Sequence, residues 1–139
     1  MTGARHWAAA YIARPWRSGA HGPDAYYCWG LVQALCIRRH GVQMPAMGDG
    51  DNQAAILEAV RAIGWERVET PAADDIVLAR RTDGARHCGY LVEADGVLGV
   101  LHANGYQSAR GPVGSVVFQT IEEFASGGYH QYEFWRRRA

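Results

Sequence analysis

Two hydrophobic periodicities divide the chain into a helical part and a strand part. In the first part, apolar residues recur every three or four positions, which is the spacing of an amphipathic helix. The clearest helix is predicted from Cys28 to about His40, with Gly41 as a natural stop. Its inward face is formed by Cys28, Leu31, Val32, Leu35 and Cys36. From about residue 75 the apolar residues fall in short or alternating runs, which are typical of strands.

Two further helices are predicted in the first half of the chain. Residues 2–13 have the spacing of a short helix, and residues 14–24 are rich in Gly and Pro and predict a loop. The other helix begins at Asp51 or Asn52, either of which can act as an N-cap, and ends before Gly64.

The second half of the chain predicts an antiparallel sheet. Thr120–Glu123 has capping-box spacing and predicts one short helix within it. Residues 129–135 predict a last strand that closes the sheet, followed by an exposed tail, Arg136–Arg138. Strands are predicted over residues 65–69, 75–79, 87–93, 97–103, 113–119 and 129–135. The order of helices followed by strands predicts an α+β fold.

One hairpin is specific enough to give the relative positions of two histidines. Asp95-Gly96 is a strong signal for a two-residue turn. Counting back from this turn places Gly89 directly opposite His102. His87 lies two residues from Gly89, so it shares the same face of the sheet and is the diagonal neighbour of His102. The sequence therefore predicts two imidazole rings close together on one surface.

The predicted position of Cys28, in the first turn of its helix, favours chemistry. The unpaired N–H groups and the positive end of the helix dipole stabilise a thiolate. A histidine beside such a cysteine can take the thiol proton, and a third group can orient that histidine. We therefore predict Cys28 as nucleophile, His87 as base and His102 as the third member of a catalytic triad.

Composition sets the outer limits of this prediction. The chain has 139 residues, of which 48% are hydrophobic, which suits a single domain over residues 1–139. The 14 basic and 14 acidic residues balance, so no nucleic-acid partner is expected. There is no apolar run long enough for membrane insertion and no segment of signal-peptide type, which predicts synthesis in the bacterial cytoplasm. Three cysteines without a C-x-x-C pair argue against a disulfide framework.

Five motifs in order resemble the NlpC/P60 family of cysteine peptidases, and the Cys-Trp-Gly-Leu-Val form resembles its phage-tail and prophage branch. The resemblance runs from about residue 10 to the C-terminus. The motifs that carry it are Pro15–Gly19, Tyr27–Val32, Asp75–Leu78, His87–Val92 and Leu101–Ala103.

The resemblance implies a papain-like fold with the cysteine helix packed on a central antiparallel sheet. It implies a thiol endopeptidase that hydrolyses peptidoglycan stem peptides, typically between γ-D-glutamyl and a diamino acid, with no cofactor and no metal. Such a protein would be a cell-wall hydrolase of a phage or prophage tail, with other tail proteins as partners. Trp16, Tyr26 and Tyr27 are candidate substrate-binding residues beside Cys28.

The sequence departs from the family pattern at one critical position, and this keeps other functions open. The residue before the cysteine is usually Asp, which caps the helix, whereas here it is Tyr27; Asp24 is the upstream candidate to replace that cap. One alternative is therefore a tail-assembly module of the same fold with little or no hydrolysis. Another is a metal site formed by Cys28, His87 and His102, which lacks a clear fourth ligand. An acyl transferase would use the same residues.

Overall fold

The protein forms one six-stranded antiparallel sheet with helices on both faces. The computed structural model describes residues 6–45, 58, 60–84 and 86–138. The elements in chain order are a 3₁₀ turn at Trp7–Ala10, α1 at Cys28–His40, β1 at Trp65–Val68, β2 at Ile76–Arg81, β3 at Arg86–Ala94, β4 at Val97–Ser108, β5 at Gly111–Thr120, α2 at Ile121–Ser126 and β6 at Tyr129–Arg137. The predicted α+β class and antiparallel sheet are confirmed.

The strand order in the sheet is β1-β6-β2-β3-β4-β5. β6 was predicted to close the sheet, but it lies inside it, hydrogen-bonded to β1 on one side and β2 on the other. The β3–β4 hairpin has the predicted register, because Ala94 pairs with Val97 across a two-residue turn. Asp95 and Gly96 both have positive φ, 51° and 78°, as a type I′ turn requires.

The helix α1 packs on the face of the sheet formed by β3 and β4. Leu31, Val32, Leu35 and Cys36 are all fully buried there, which confirms the predicted inward face. The opposite face carries a second apolar cluster that includes Phe124 of α2. Among the described residues, no helix has the length and apolar character needed to cross a membrane.

Two glycines shape the ends of α1. The helix ends at Gly41, whose left-handed φ of 69° lets its N–H bond to the carbonyls of Cys36 and Ile37. Near the other end, a Cβ at Gly30 would collide with the backbone carbonyl of Ala20 and with the ring of Tyr27. Glycine at this position therefore allows the loop before α1 to lie directly against its first turn.

The predicted N-terminal helix is much shorter than expected. Only Trp7–Ala10 is helical, as a 3₁₀ turn, and residues 2–5 lie outside the described residues. The chain leaves the turn at Ala13, which has a φ of 72° and donates its N–H to the carbonyl of Val116 in β5. Pairing with the sheet edge has replaced continuation of the helix.

The helix predicted to begin at Asp51 or Asn52 lies mostly outside the described residues. Residues 58 and 60–62 are helical, and Gly64 follows them with a φ of 96°, as predicted for the end of this helix. The strand predicted next is confirmed as β1.

The predicted exposed tail, Arg136–Arg138, is confirmed for Arg137 and Arg138 but not for Arg136. Arg136 and Arg137 belong to β6, and the Arg136 guanidinium makes two 2.8 Å hydrogen bonds to the carboxylate of Asp75. The Asp75 side chain is only 1% exposed, whereas that of Arg136 is 42% exposed. Asp75 also accepts the N–H of Ala72, so this ion pair ties the last strand to the turn before β2.

Candidate active site

Cys28 is the first residue of α1, as predicted, and the residue is partly exposed. Tyr27 occupies the N-cap position with an extended backbone, but its side chain makes no capping hydrogen bond. No cap from Asp24 is found within the part of the chain that the structure describes, and its side chain is exposed. The first turn of α1 therefore begins at Cys28 without a side-chain cap.

The surroundings of Cys28 favour the thiolate. Its pKa lies well below the usual value, first because the Cys88 side chain hydrogen-bonds to it, and then because of the hydrogen bond and charge of His87 and the N–H of Trp29. Burial acts in the opposite direction. Cys36, two turns along the same helix, shows the contrast, since burial raises its pKa to about 12. The helix thus carries one activated and one inert thiol.

Cys88 has more than the core role predicted for it. It is 2% exposed and packs in the cluster beneath α1, as expected for a strand residue facing away from His87. However, its thiol also reaches Cys28 and contributes most to lowering the Cys28 pKa. The alternation of strand side chains identified the face correctly but gave no indication that Cys88 bonds to Cys28 in the first turn of α1.

The two predicted histidines meet as the hairpin register requires. Nε2 of His87 lies 2.8 Å from Nδ1 of His102, and the ring planes are nearly perpendicular, with centroids 4.9 Å apart. Gly89 keeps the space beside the two rings open, because a Cβ there would lie 2.5 Å from Cγ1 of Val100 and 3.2 Å from the Cβ of His102. With Nε2 of His87 engaged, Nδ1 is the ring nitrogen left to face the Cys28 thiol, to which His87 is also hydrogen-bonded.

Gln119, which the sequence analysis did not identify, contacts the ring nitrogen of His102 on the side away from His87. The side-chain oxygen Oε1 of Gln119, in β5, lies 2.7 Å from Nε2 of His102. Cys28, His87, His102 and Gln119 therefore form a continuous row of hydrogen-bonded side chains. Burial, followed by the charge of His87, lowers the pKa of His102 to about 3, so this ring is neutral at physiological pH.

Aromatic rings fix the plane of His87. The ring of Tyr129 stacks on it with centroids 5.0 Å apart and planes 17° apart. Phe124 stacks on Tyr129 in turn, at 4.6 Å and 12°, and presents its edge to His102. Phe124 belongs to α2 and Tyr129 to β6, so elements late in the chain pack against His87, which β3 positions.

A cavity of about 230 Å³ opens over the thiol and the imidazole. Two of the candidate substrate-binding residues, Trp16 and Tyr27, line it together with Arg81 and Arg86. Tyr26 is placed differently: it is 5% exposed and packs in the core against Tyr11. Tyr27 has an extended backbone, and neighbouring side chains along an extended segment point to opposite sides, which explains the difference between Tyr26 and Tyr27.

Backbone pairing holds Trp16 at the cavity. Pro15 accepts the N–H of Tyr26, and Trp16 donates its own N–H to Gly114 of β5. The Trp16 ring lies against Gly105, where a Cβ would occupy the same space. The Gly- and Pro-rich loop is therefore attached both to the start of α1 and to the edge of the sheet.

The metal hypothesis receives no support from the geometry. Across residues 6–45, 58, 60–84 and 86–138, no group of three or more His, Cys, Asp or Glu side chains is arranged to hold a metal ion. Both ring nitrogens of His102 are already in hydrogen bonds, to His87 and to Gln119. A ligand role for His102 would require breaking one of them.

Comparisons with known proteins add no assignment. No protein-family model and no curated protein matches the chain.

The low pKa of His102 predicts that the folded protein becomes less stable as the pH falls. The unfolded chain binds a proton at His102 below about pH 6.5, whereas the folded protein does so only near pH 3. The unfolded state therefore holds the extra proton between these values, and the free energy of unfolding falls as the pH drops, by up to about 1.4 kcal/mol per pH unit.

Urea unfolding of the wild type and of His102→Gln at several pH values between 4 and 7 measures this slope. We expect a shallower slope in the variant, whatever constant loss of stability the substitution itself brings. Equal slopes in the two proteins would show that His102 does not contribute to the acid sensitivity.

Proposed function

We propose that this protein is a thiol hydrolase that cleaves peptide bonds through a covalent intermediate on Cys28. The observation that carries the proposal is the row formed by Cys28, His87 and His102. In this row a thiol of low pKa, at a residue that lines the cavity, lies beside an imidazole that is hydrogen-bonded to a second histidine. A buried structural cysteine would have a raised pKa, as Cys36 does.

The row supplies each step of such a reaction. The Cys28 sulfur bonds to the substrate carbonyl carbon while Nδ1 of His87 takes the thiol proton. The C–N bond then breaks, and the leaving amine departs with that proton, supplied by His87 acting as an acid. Water hydrolyses the resulting thioester, releasing the carboxylic acid and restoring the thiol. His102 holds the His87 ring throughout these steps.

The proposed substrate is a peptidoglycan stem peptide, cleaved at the bond between γ-D-glutamyl and a diamino acid. The motif resemblance to the NlpC/P60 family and its papain-like fold suggests this class, and the α+β architecture is compatible with it. The cavity also suits an anionic peptide, because Arg81 and Arg86 line it beside Cys28. In the same proposal the protein acts on the cell wall as part of a phage or prophage tail.

One observation favours a second candidate, a tail-assembly module of this fold with weak or no hydrolysis. Tyr27 replaces the capping Asp and makes no side-chain cap to α1. An uncapped first turn costs about 1 kcal/mol and leaves Cys28 less firmly placed. The low pKa of Cys28 argues for the hydrolase all the same, since a purely structural module has no need of an activated thiol.

Digestion of purified peptidoglycan tests the proposal. Cys28→Ala should lower the release of peptide amino groups by about 10³-fold or more, because the nucleophile is removed. Cys36→Ala is the matched control, since it removes a thiol of raised pKa from the same helix and should retain activity.

Hydrolysis that survives Cys28→Ala would eliminate Cys28 as nucleophile. A wild type that alkylates readily at Cys28 but releases nothing from peptidoglycan would instead contradict the substrate. A folded wild type that neither alkylates readily at Cys28 nor hydrolyses peptidoglycan would favour the assembly module.

A further inference from the structure

The Gln119 side-chain atom that faces His102 is the amide oxygen. This Oε1, 2.7 Å from Nε2, is a carbonyl oxygen and can only accept a hydrogen bond. Nε2 of His102 must therefore carry a hydrogen. A neutral imidazole has a single N–H, and so Nδ1 of His102 is left with a lone pair.

The same reasoning extends to His87. Its Nε2 lies 2.8 Å from Nδ1 of His102, which is now an acceptor, so Nε2 of His87 must be the donor. In the neutral ring this leaves Nδ1 of His87 without a hydrogen. That nitrogen is the one available to Cys28, and it is in the form that accepts a proton.

We propose that Gln119 is a positioning residue that sets the tautomers of both histidines and so keeps His87 ready to accept the Cys28 proton. The inference rests on the proposed thiol chemistry, and it adds a fourth member to the row. The opposite arrangement, in which the Gln119 amide nitrogen donates to His102, would reverse every hydrogen bond. Nδ1 of His87 would then carry a hydrogen toward Cys28 and could not act as a base.

The position of Gln119 suits this role. Val117 pairs directly with His102 across β4 and β5, and Gln119, two residues further on, is the diagonal neighbour on the same face. His102 is 1% exposed, so water has little access to replace the glutamine oxygen at its ring. The orienting bond is therefore held by strand register and protected by burial.

The first test needs no variant. Long-range ¹H–¹⁵N NMR of the wild type labelled at histidine reports which ring nitrogen carries the hydrogen. At a pH at which both rings are neutral, we expect the Nε2–H tautomer for both His87 and His102. An Nδ1–H tautomer at either ring would overturn the proposal.

The second test compares Cys28 alkylation rates at pH 6, followed by mass spectrometry of the Cys28 peptide. Gln119→Met keeps the length of the side chain without its acceptor oxygen, and we expect an alkylation rate about tenfold lower. The ionised side chain of Gln119→Glu offers only acceptor oxygens, and this variant should stay within about threefold of the wild type. Gln107→Met, at an exposed glutamine of β4, is the matched control and should change nothing.

A wild-type rate in folded Gln119→Met, with unchanged tautomers, would overturn the inference. Neither test uses a peptidoglycan substrate, so a failure of the proposed substrate leaves both results interpretable. Conversely, normal hydrolysis in Gln119→Met would reject the role of Gln119 while leaving the proposed function intact.

Discussion

Replacing His87 with alanine is expected to slow the alkylation of Cys28 by iodoacetamide at pH 6 by about tenfold or more. The variant loses the hydrogen bond and the charge through which His87 lowers the Cys28 pKa. Cys88 and the Trp29 N–H continue to act, so the pH profile should move to higher pH without reaching that of a free cysteine. Hydrolysis should fall further, by about 10²- to 10⁴-fold, because the base is also lost.

Two other variants make this result specific. His6→Ala removes a histidine that bonds to the Glu93 carbonyl outside the site, and it should leave the profile unchanged. Cys88→Ala removes the largest influence on the Cys28 pKa while keeping the base, so it should move the alkylation profile toward higher pH. If the profiles of His87→Ala and the wild type coincide, His87 does not activate Cys28.

Replacing Arg136 with methionine is expected to lower the free energy of unfolding by about 3 kcal/mol. The substitution leaves the carboxylate of Asp75, only 1% exposed, without its ion-pair partner. The loss should lie at the low end for a broken buried pair, because the Asp75 carboxylate still accepts the N–H of Ala72. Urea unfolding followed by circular dichroism measures the change.

The neighbouring pair between Arg67 and Glu133 is the control. This pair joins β1 to β6, and both of its side chains are substantially exposed, at 60% and 33%. Arg67→Met should therefore cost less than about 1 kcal/mol. Equal losses in the two variants would mean that the burial of Asp75 does not set the strength of its bond to Arg136.

The part of the site that could be predicted rests on local signals. Asp95-Gly96 specified a tight turn, and a tight turn fixes the register of the whole hairpin, so the meeting of His87 and His102 followed by counting. The start of α1 at Cys28 followed from helix periodicity and the Gly- and Pro-rich loop before it.

Gln119 was missed because its hairpin carries no comparable signal. β4 and β5 are joined through Ala109-Arg110, a pair that specifies no turn type. The register that makes Gln119 a neighbour of His102 could therefore not be counted from the sequence.

Arg136 was wrongly predicted as part of a solvated tail for a different reason. A run of arginines is ordinarily solvated, and the buried Asp75 that pairs with Arg136 lies 61 residues earlier. Cys88 is similar, because its contact with Cys28 depends on how α1 sits on the sheet. Contacts between distant segments are decided by packing and leave no periodic trace in the chain.

The position of β6 between β1 and β2 dictates the order in which the sheet can be assembled. The strands β3, β4 and β5 are joined by tight turns and can pair as soon as each has been synthesised. β1 has β6 as its partner strand, so it waits until residues 129–137 exist. The ring of Tyr129 arrives with β6, so His87 acquires its stacking support only in this late step. Maturation of the site is thus expected to follow, and not precede, the pairing of β1 with β6, which joins the two paired strands that lie furthest apart in sequence.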